Sequence, residues 1–196
     1  FAAGLFGHIY NGNVHDLSVL DTYVKASNLG GGIAGYLQST SETETARIYN
    51  CYAEACVVGG YSMGLAVGHV AGSYSSVDHC YTYGCASGSY PACIVGYLSA
   101  GRVEKCYSVC KSGYNGVYNN YSTVNELYFE STVNSYGRNA TGKTTNEMQS
   151  EEFADLLGEP FEYVDGNYPY IDGLRQIGQG YTDKATGYRT NVGAMS

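Results

Sequence analysis

The residues able to do chemistry in this chain are seven cysteines, four histidines, eighteen carboxylates and twenty-two tyrosines. Cysteine and histidine together first raise zinc binding, which needs four ligands converging at about 2.3 Å, commonly from closely spaced Cys pairs. Cys51, Cys80 and Cys106 recur, and Cys56, Cys85 and Cys110 follow them by five, five and four residues, with Cys93 apart. An odd count in register is not a disulfide framework. The expectation is two ladders of small buried thiols that pack as hydrophobes, with no metal and no cofactor. Neighbouring strands lie about 4.8 Å apart, so a disulfide between successive copies stays geometrically open.

The histidines lose their catalytic look once aligned. His8 and His69 share a repeat column with Tyr36 and Tyr97, while His15 and His79 occupy unequal positions of a second motif. A column that accepts His or Tyr asks for an amphipathic ring, not a general base. No Cys or Ser is read as a nucleophile, no segment as a phosphate loop, and no His-Glu-x-x-His occurs. Glycoside cleavage needs two carboxylates at close quarters, and Asp16, Asp78, Glu104 and Glu126 read as scattered over different columns. Glu151 and Glu152 have a sufficient structural reason at the start of a helix. The chain is therefore expected not to be an enzyme.

These residues sit on a repeat. Val14-His15-Asp16-Leu17-Ser18, Ile48-Tyr49-Asn50-Cys51-Tyr52, Val77-Asp78-His79-Cys80-Tyr81, Val103-Glu104-Lys105-Cys106-Tyr107 and Val124-Asn125-Glu126-Leu127-Tyr128 are five copies of one motif. They start at 14, 48, 77, 103 and 124, so the intervals are 34, 29, 26 and 21 residues. Recurrence in that range marks a solenoid, whose coils bury their apolar faces only by stacking. A second motif, with glycines at 7, 35, 68 and 96, precedes the first four copies. Glycine inside a strand suggests close backbone approach or a bend. Asn11-Gly12 and Ala100-Gly101 read as turns with glycine at positive φ, and the polar stretch 38–45 as an inserted loop.

Ala3-Gly4-Leu5-Phe6-Gly7 with Val14 to Val19, and Gly31-Gly32-Ile33-Ala34-Gly35-Tyr36 with Asn50-Cys51-Tyr52-Ala53, resemble the GLUG repeat of bacterial surface proteins. The third and fourth copies depart from it, with Leu65 and Cys93 where Gly is usual. The resemblance spans roughly residues 3 to 130, and 144–173 is similar to the segment that often follows such repeats. It implies an all-β, right-handed parallel β-helix or solenoid of about four to five coils with a small C-terminal α+β cap. The domains read as 1–130 for the repeats and 131–196 for the cap, with 131–143 a loop and the cap over the open end. Thr144 to Glu147 has the capping-box form, Ser150 reads as a second N-cap, and Phe153, Leu156 and Leu157 as that helix's apolar face. Asp165-Gly166 reads as a turn between the strands 161–164 and 168–171.

Function then rests on surfaces. Net charge −8 argues against nucleic acid and anionic membranes, and no run of 18 apolar residues spans a bilayer. The chain begins at Phe1, without Met, inside a repeat strand, and reads as part of a longer chain. The expected role is a non-catalytic, extracellular or bacterial cell-surface module. It acts in adhesion to glycans or host matrix proteins, or as a structural spacer. The alternative is a carbohydrate-active β-helix enzyme or an accessory domain of one. If alternation holds, Tyr52, Tyr81, Tyr107 and Tyr128 point outward as a stacked, exposed binding stripe, although a Val-to-Cys spacing of three implies a bend. The tail from Asp183 to Ala194 faintly resembles the closing segment of some bacterial β-helix proteins.

Overall fold

The computed structural model describes residues 1–120, 122–178, 181–182 and 189–190; for 112, 119, 120 and the last two pairs it describes the backbone alone. Strands recur in sets of three. The first set is β1 (Ala2–Ala3), β2 (Phe6–Tyr10) and β3 (Asn13–Ala26). The second is β4 (Leu29–Gly31), β5 (Ala34–Gln38) and β6 (Ala46–Gly59), and the third β7 (Ser62–Gly64), β8 (Val67–Ala71) and β9 (Ser75–Ser87). β10 (Tyr90–Ala92), β11 (Val95–Leu98) and β12 (Arg102–Ser112) follow, then β13 (Asn115–Asn120), β14 (Thr123–Glu130), β15 (Gly137–Arg138) and β16 (Thr141–Lys143). Each strand pairs in parallel with its equivalent in the next set. The three sheets run β1-β4-β7-β10, β2-β5-β8-β11-β13-β15 and β3-β6-β9-β12-β14-β16. The chain is thus mostly β, 59% strand against 6% helix, with parallel sheets and, among the described residues, no closed barrel.

The bend in the repeated motif has a specific cause. Asp16, Asn50, His79, Lys105 and Glu126 all adopt left-handed backbone, with φ of 53°, 51°, 48°, 50° and 47°. L-residues resist that region by about 1–2 kcal/mol, so five occurrences in one column mark a built feature. The kink breaks the two-residue alternation once per strand. Val14, Ile48, Val77, Val103 and Val124 form one register column, and Leu17, Cys51, Cys80, Cys106 and Leu127 another. Both columns face the same apolar core, with Ala34, Leu37, Val67, Val70, Val95 and Leu98 of the second sheet and Ile33 just before it. The small thiol suits the kink: the thiols of Cys51, Cys80 and Cys106 donate to the carbonyls of Tyr49, Asp78 and Glu104 at 3.1, 3.2 and 3.1 Å.

The second cysteine ladder is corrected. Cys56 and Cys85 share a register position on β6 and β9 and are joined as a disulfide, Cα atoms 4.7 Å apart. Cys93 and Cys110 form the other disulfide, Cα atoms 5.9 Å apart, across a smaller core with Val57, Met63 and Leu65. Cys93 therefore does not stand alone, and only Cys51, Cys80 and Cys106 are free thiols.

Three further expectations change. Residues 131–143 are not merely a loop, because β15 and β16 extend the second and third sheets. At the first tight turn Asn11, at φ 50°, takes the left-handed position expected of Gly12, whereas Gly101 does take it, at φ 92°. The C-terminal segment contains α1 (Thr145–Met148), α2 (Glu151–Leu157) and the antiparallel pair β17 (Phe161–Glu162) and β18 (Tyr170–Ile171). It lies along the outer flank of the third sheet rather than over an end: Met148, Phe153, Leu157, Phe161, Tyr168 and Ile177 pack on Tyr52, Tyr81, Tyr107 and Tyr128. Thr144 and Glu147 form the capping box, Ser150 caps α2, and Leu156 is exposed rather than on the apolar face. β19 (Tyr181–Thr182) and β20 (Arg189–Thr190) make a last antiparallel pair; the rest of the tail motif lies outside the described residues.

The disulfide assignment predicts a thiol count. Denatured, unreduced protein titrates three thiols, and reduction raises the count to seven. Seven before reduction would exclude both disulfides.

Candidate binding groove

The tyrosine column expected as an exposed stripe is buried. Tyr52, Tyr81 and Tyr107 are 0% exposed and Tyr128 8%. The kink does send them to the face opposite the cysteines, but the C-terminal segment covers that face. Their rings stack along the column, with centroids 4.7 Å apart for Tyr52–Tyr81 and 5.5 Å for Tyr81–Tyr107. Phe153 meets Tyr128 edge-on at 5.3 Å. Two of the hydroxyls reach the covering segment, Tyr81 donating to the Arg175 carbonyl at 2.6 Å and Tyr107 to that of Pro169, while Tyr52 donates to Glu54 on its own strand at 2.9 Å. Burial pushes the pKa of all four phenols above the usual tyrosine value, so they stay protonated. No ligand reaches these rings in this conformation; they hold residues 144–178 to the sheet.

The other aromatic columns remain accessible. His8, Tyr36, His69 and Tyr97 are in register on the outer face of the second sheet. Their rings touch in sequence at 4.7, 4.9 and 4.9 Å. A second series of ring contacts runs from Tyr61, next to β7, and Tyr90 on β10 to Tyr118 on β13 and on to Tyr114 and Tyr136, at 4.7, 4.4, 5.1 and 5.0 Å. Where Tyr61 faces the His8–Tyr36–His69 rings lies a groove of about 730 Å³, lined by Phe1, Ala2, Asn28, Leu29 and Tyr61 on one side and Gly7, His8, Tyr36 and His69 on the other.

The glycine column makes this groove possible. Gly35, Gly68 and Gly96 face the backbone of the first sheet across a re-entrant corner. A Cβ on Gly68 would stand 2.6 Å from the Gly35 carbonyl oxygen and 2.8 Å from the Gly30 nitrogen, and one on Gly96 2.5 Å from Ser62 Oγ. Real Cβ atoms do not approach so closely, so glycine alone lets the two sheets meet. Tyr118, flanked by register pairs Val95–Val117 and Tyr97–Asn119, takes the glycine position on β13. Its ring lies under the Arg138 guanidinium at 4.2 Å and closes that end.

The groove is lined by rings, an amide and backbone, with no carboxylate. His69 is neutral there, because burial presses its pKa down to about 4; Nε2 lies 2.9 Å from Ser99 Oγ. Such a lining offers flat apolar faces with hydrogen-bonding edges, the usual means of gripping sugar rings and interface anchors.

Catalytic alternatives fare less well. Asp78 and Glu104 are not scattered but share a register column. Each is already matched to an arginine, Asp78 to Arg47 at 3.2 Å and Glu104 to Arg102 at 3.0 Å. Burial alone would raise the Asp78 carboxyl, yet hydrogen bonds from His79, Arg47 and Ser76 outweigh it and hold the group below the usual range. Asp16 and Glu126 belong to the left-handed column. Among the described residues, no three or more His, Cys, Asp or Glu side chains are grouped to hold a metal ion.

Two local matches to catalytic signatures, overlooked by the reading of the sequence above, are disposed of by their surroundings. Gly60-Tyr61-Ser62-Met63-Gly64 has the Gly-x-Ser-x-Gly form, but no strand-to-helix elbow follows. Ser62 is fully buried on β7 and donates to the Gly68 carbonyl at 2.7 Å. Gly137 to Thr144 spells a phosphate-loop pattern, which needs a loop of backbone donors opening a helix. Here Gly137 and Gly142 lie in β15 and β16 and make room for the Phe129 ring, while Thr144 caps a four-residue helix.

No protein-family model, curated protein or solved structure matches this chain.

Two outcomes follow. Tyr81→Phe is expected to cost about 1 kcal/mol, one hydrogen bond, and Tyr81→Ala about 3–5 kcal/mol, a cored aromatic, both by urea unfolding; equal small losses would mean the segment is not docked on this column. Because the folded pKa of His69 lies below its unfolded value of 6.5, its contribution is complete above pH 6.5 and is lost as pH falls towards about 4. His69→Tyr, which keeps a ring the column accepts, flattens the fall in Tm over that window. An unchanged slope would show that His69 is not buried neutral.

Proposed function

We propose that this chain is a right-handed parallel β-helix of the GLUG-repeat kind and serves as a non-catalytic glycan-binding module of a secreted or cell-surface protein. The observation that carries the reading is the groove lined by Tyr61 on one side and by the His8, Tyr36 and His69 rings on the other. Ring positions repeat with the strands, about 4.8 Å apart, so the surface suits a chain-like ligand laid along the stack. The absence of carboxylates from the lining of a protein of net charge −8 suits a ligand bound by stacking and neutral hydrogen bonds. Two disulfides fit an oxidising compartment. Among the described residues no helix is long and apolar enough to cross a membrane.

The test is retention on a panel of neutral polysaccharides and matrix proteins, read also for cleavage products, with wild type, Tyr36→Ala and Tyr61→Ala. The expected result is retention of a polysaccharide without cleavage, weakened about tenfold or more by either substitution, as loss of one aromatic anchor implies. Cleavage favours the carbohydrate-active enzyme instead. Retention only by matrix proteins, or retention indifferent to both substitutions, removes the groove as a glycan site.

A further inference from the structure

A second concavity lies at the opposite end of the second sheet's strands, where the chain turns into the third sheet. It encloses about 240 Å³ and is lined by Thr45, Arg47, Ser73, Tyr74, Ser75, Ser76 and Arg102. Arg47, Ser76 and Arg102 occupy one register column on β6, β9 and β12. The two guanidiniums therefore flank Ser76 from either side, two strand spacings apart, or about 10 Å between backbones. The chain holds 10 basic residues against 18 acidic ones, yet two guanidiniums and no carboxylate line this small pocket.

We propose that this pocket is an oxyanion-binding subsite that takes a sulfate or carboxylate group carried on a sugar. Guanidinium forks match both groups by paired, charge-assisted hydrogen bonds. Arg47 is already positioned: Nε reaches Ser76 Oγ at 3.3 Å, Nη2 reaches Asp78 at 3.2 Å, and the guanidinium lies 4.8 Å from the centre of the Tyr49 ring. A side chain held in place loses little entropy on binding. Arg102 is tied to Glu104 through Nε at 3.0 Å, which leaves its terminal amino groups for an incoming anion. The half-exposed Tyr74 and the hydroxyls of Thr45 and Ser73 supply a ring face and polar edges of the kind a sugar requires. Asp78 and Glu104 are outside the lining but paired to the arginines, so they orient the guanidiniums while Glu104 also competes for Arg102. The subsite shares no lining residue with the aromatic groove and does not depend on it.

The test titrates intact protein with sodium sulfate, sodium glucuronate and glucose, following backbone amide resonances of Ser73, Ser76 and Arg102. Both anions are expected to shift these signals at millimolar concentration and glucose not to. Arg102→Gln removes only a half-exposed pair and lowers the association constant about tenfold, the loss of one charge-assisted contact. Arg47 is left intact because its removal strands the buried Asp78. Glu104→Gln removes the competitor and raises affinity, a change in sign that general destabilisation does not produce. Tighter sulfate identifies a sulfated sugar, and tighter glucuronate a uronate. The proposal is overturned if neither anion shifts these amides, if glucose shifts them equally, or if Arg102→Gln and Glu104→Gln leave the affinities of wild type.

Discussion

Everything in this molecule depends on one backbone kink repeated five times. The left-handed residue in each long strand puts a β-branched side chain and a Cys or Leu three positions later on the same inner face. It turns the next residue, tyrosine in four copies, to the outside. Without it, strict alternation would drive either the valine or the cysteine column into solvent. Asp and Asn bear left-handed backbone more readily than most residues, but His79, Lys105 and Glu126 hold it too. Their conformation is imposed by the neighbouring strands, and the thiols that bridge to the adjoining carbonyls help to hold it.

The kink organises both flanks. On one side the outward tyrosines become a ladder whose faces and hydroxyls dock residues 144–178. On the other, the glycine column brings the first and second sheets into contact and opens an aromatic groove. The first surface is consumed by the protein itself, and the second is left to solvent. The disulfides fix neighbouring strands and the smaller core.

The motif columns, the buried thiols at Cys51, Cys80 and Cys106, the outward parity of the tyrosines and both helix caps are legible in the sequence, because each rests on local spacing. The first sheet is not, since its strands are two or three residues long and too short to show periodicity. The disulfides escape because their partners meet only through strand register and a corner. The burial of the tyrosines escapes because their cover, from Met148 to Ile177, lies in a different part of the chain with no periodic relation to them. The groove is half legible: the His8–Tyr36–His69–Tyr97 column aligns in the sequence, but only the fold places Tyr61 and Tyr90 across from it. Conversely, the Gly-x-Ser-x-Gly and phosphate-loop patterns show how a short motif fails when its glycines serve packing.

The proposed function puts the ligand in the groove and not on the tyrosine ladder. The most direct measurement is chemical-shift mapping of the tyrosine and histidine ring signals when a retained polysaccharide is added. Changes are expected at His8, Tyr36, Tyr61 and His69 and their ring neighbours Tyr90 and Tyr97, with Tyr52, Tyr81 and Tyr107 unmoved. Changes at Tyr81 and Tyr107 with a silent groove would contradict it and show that the covering segment gives way to the ligand.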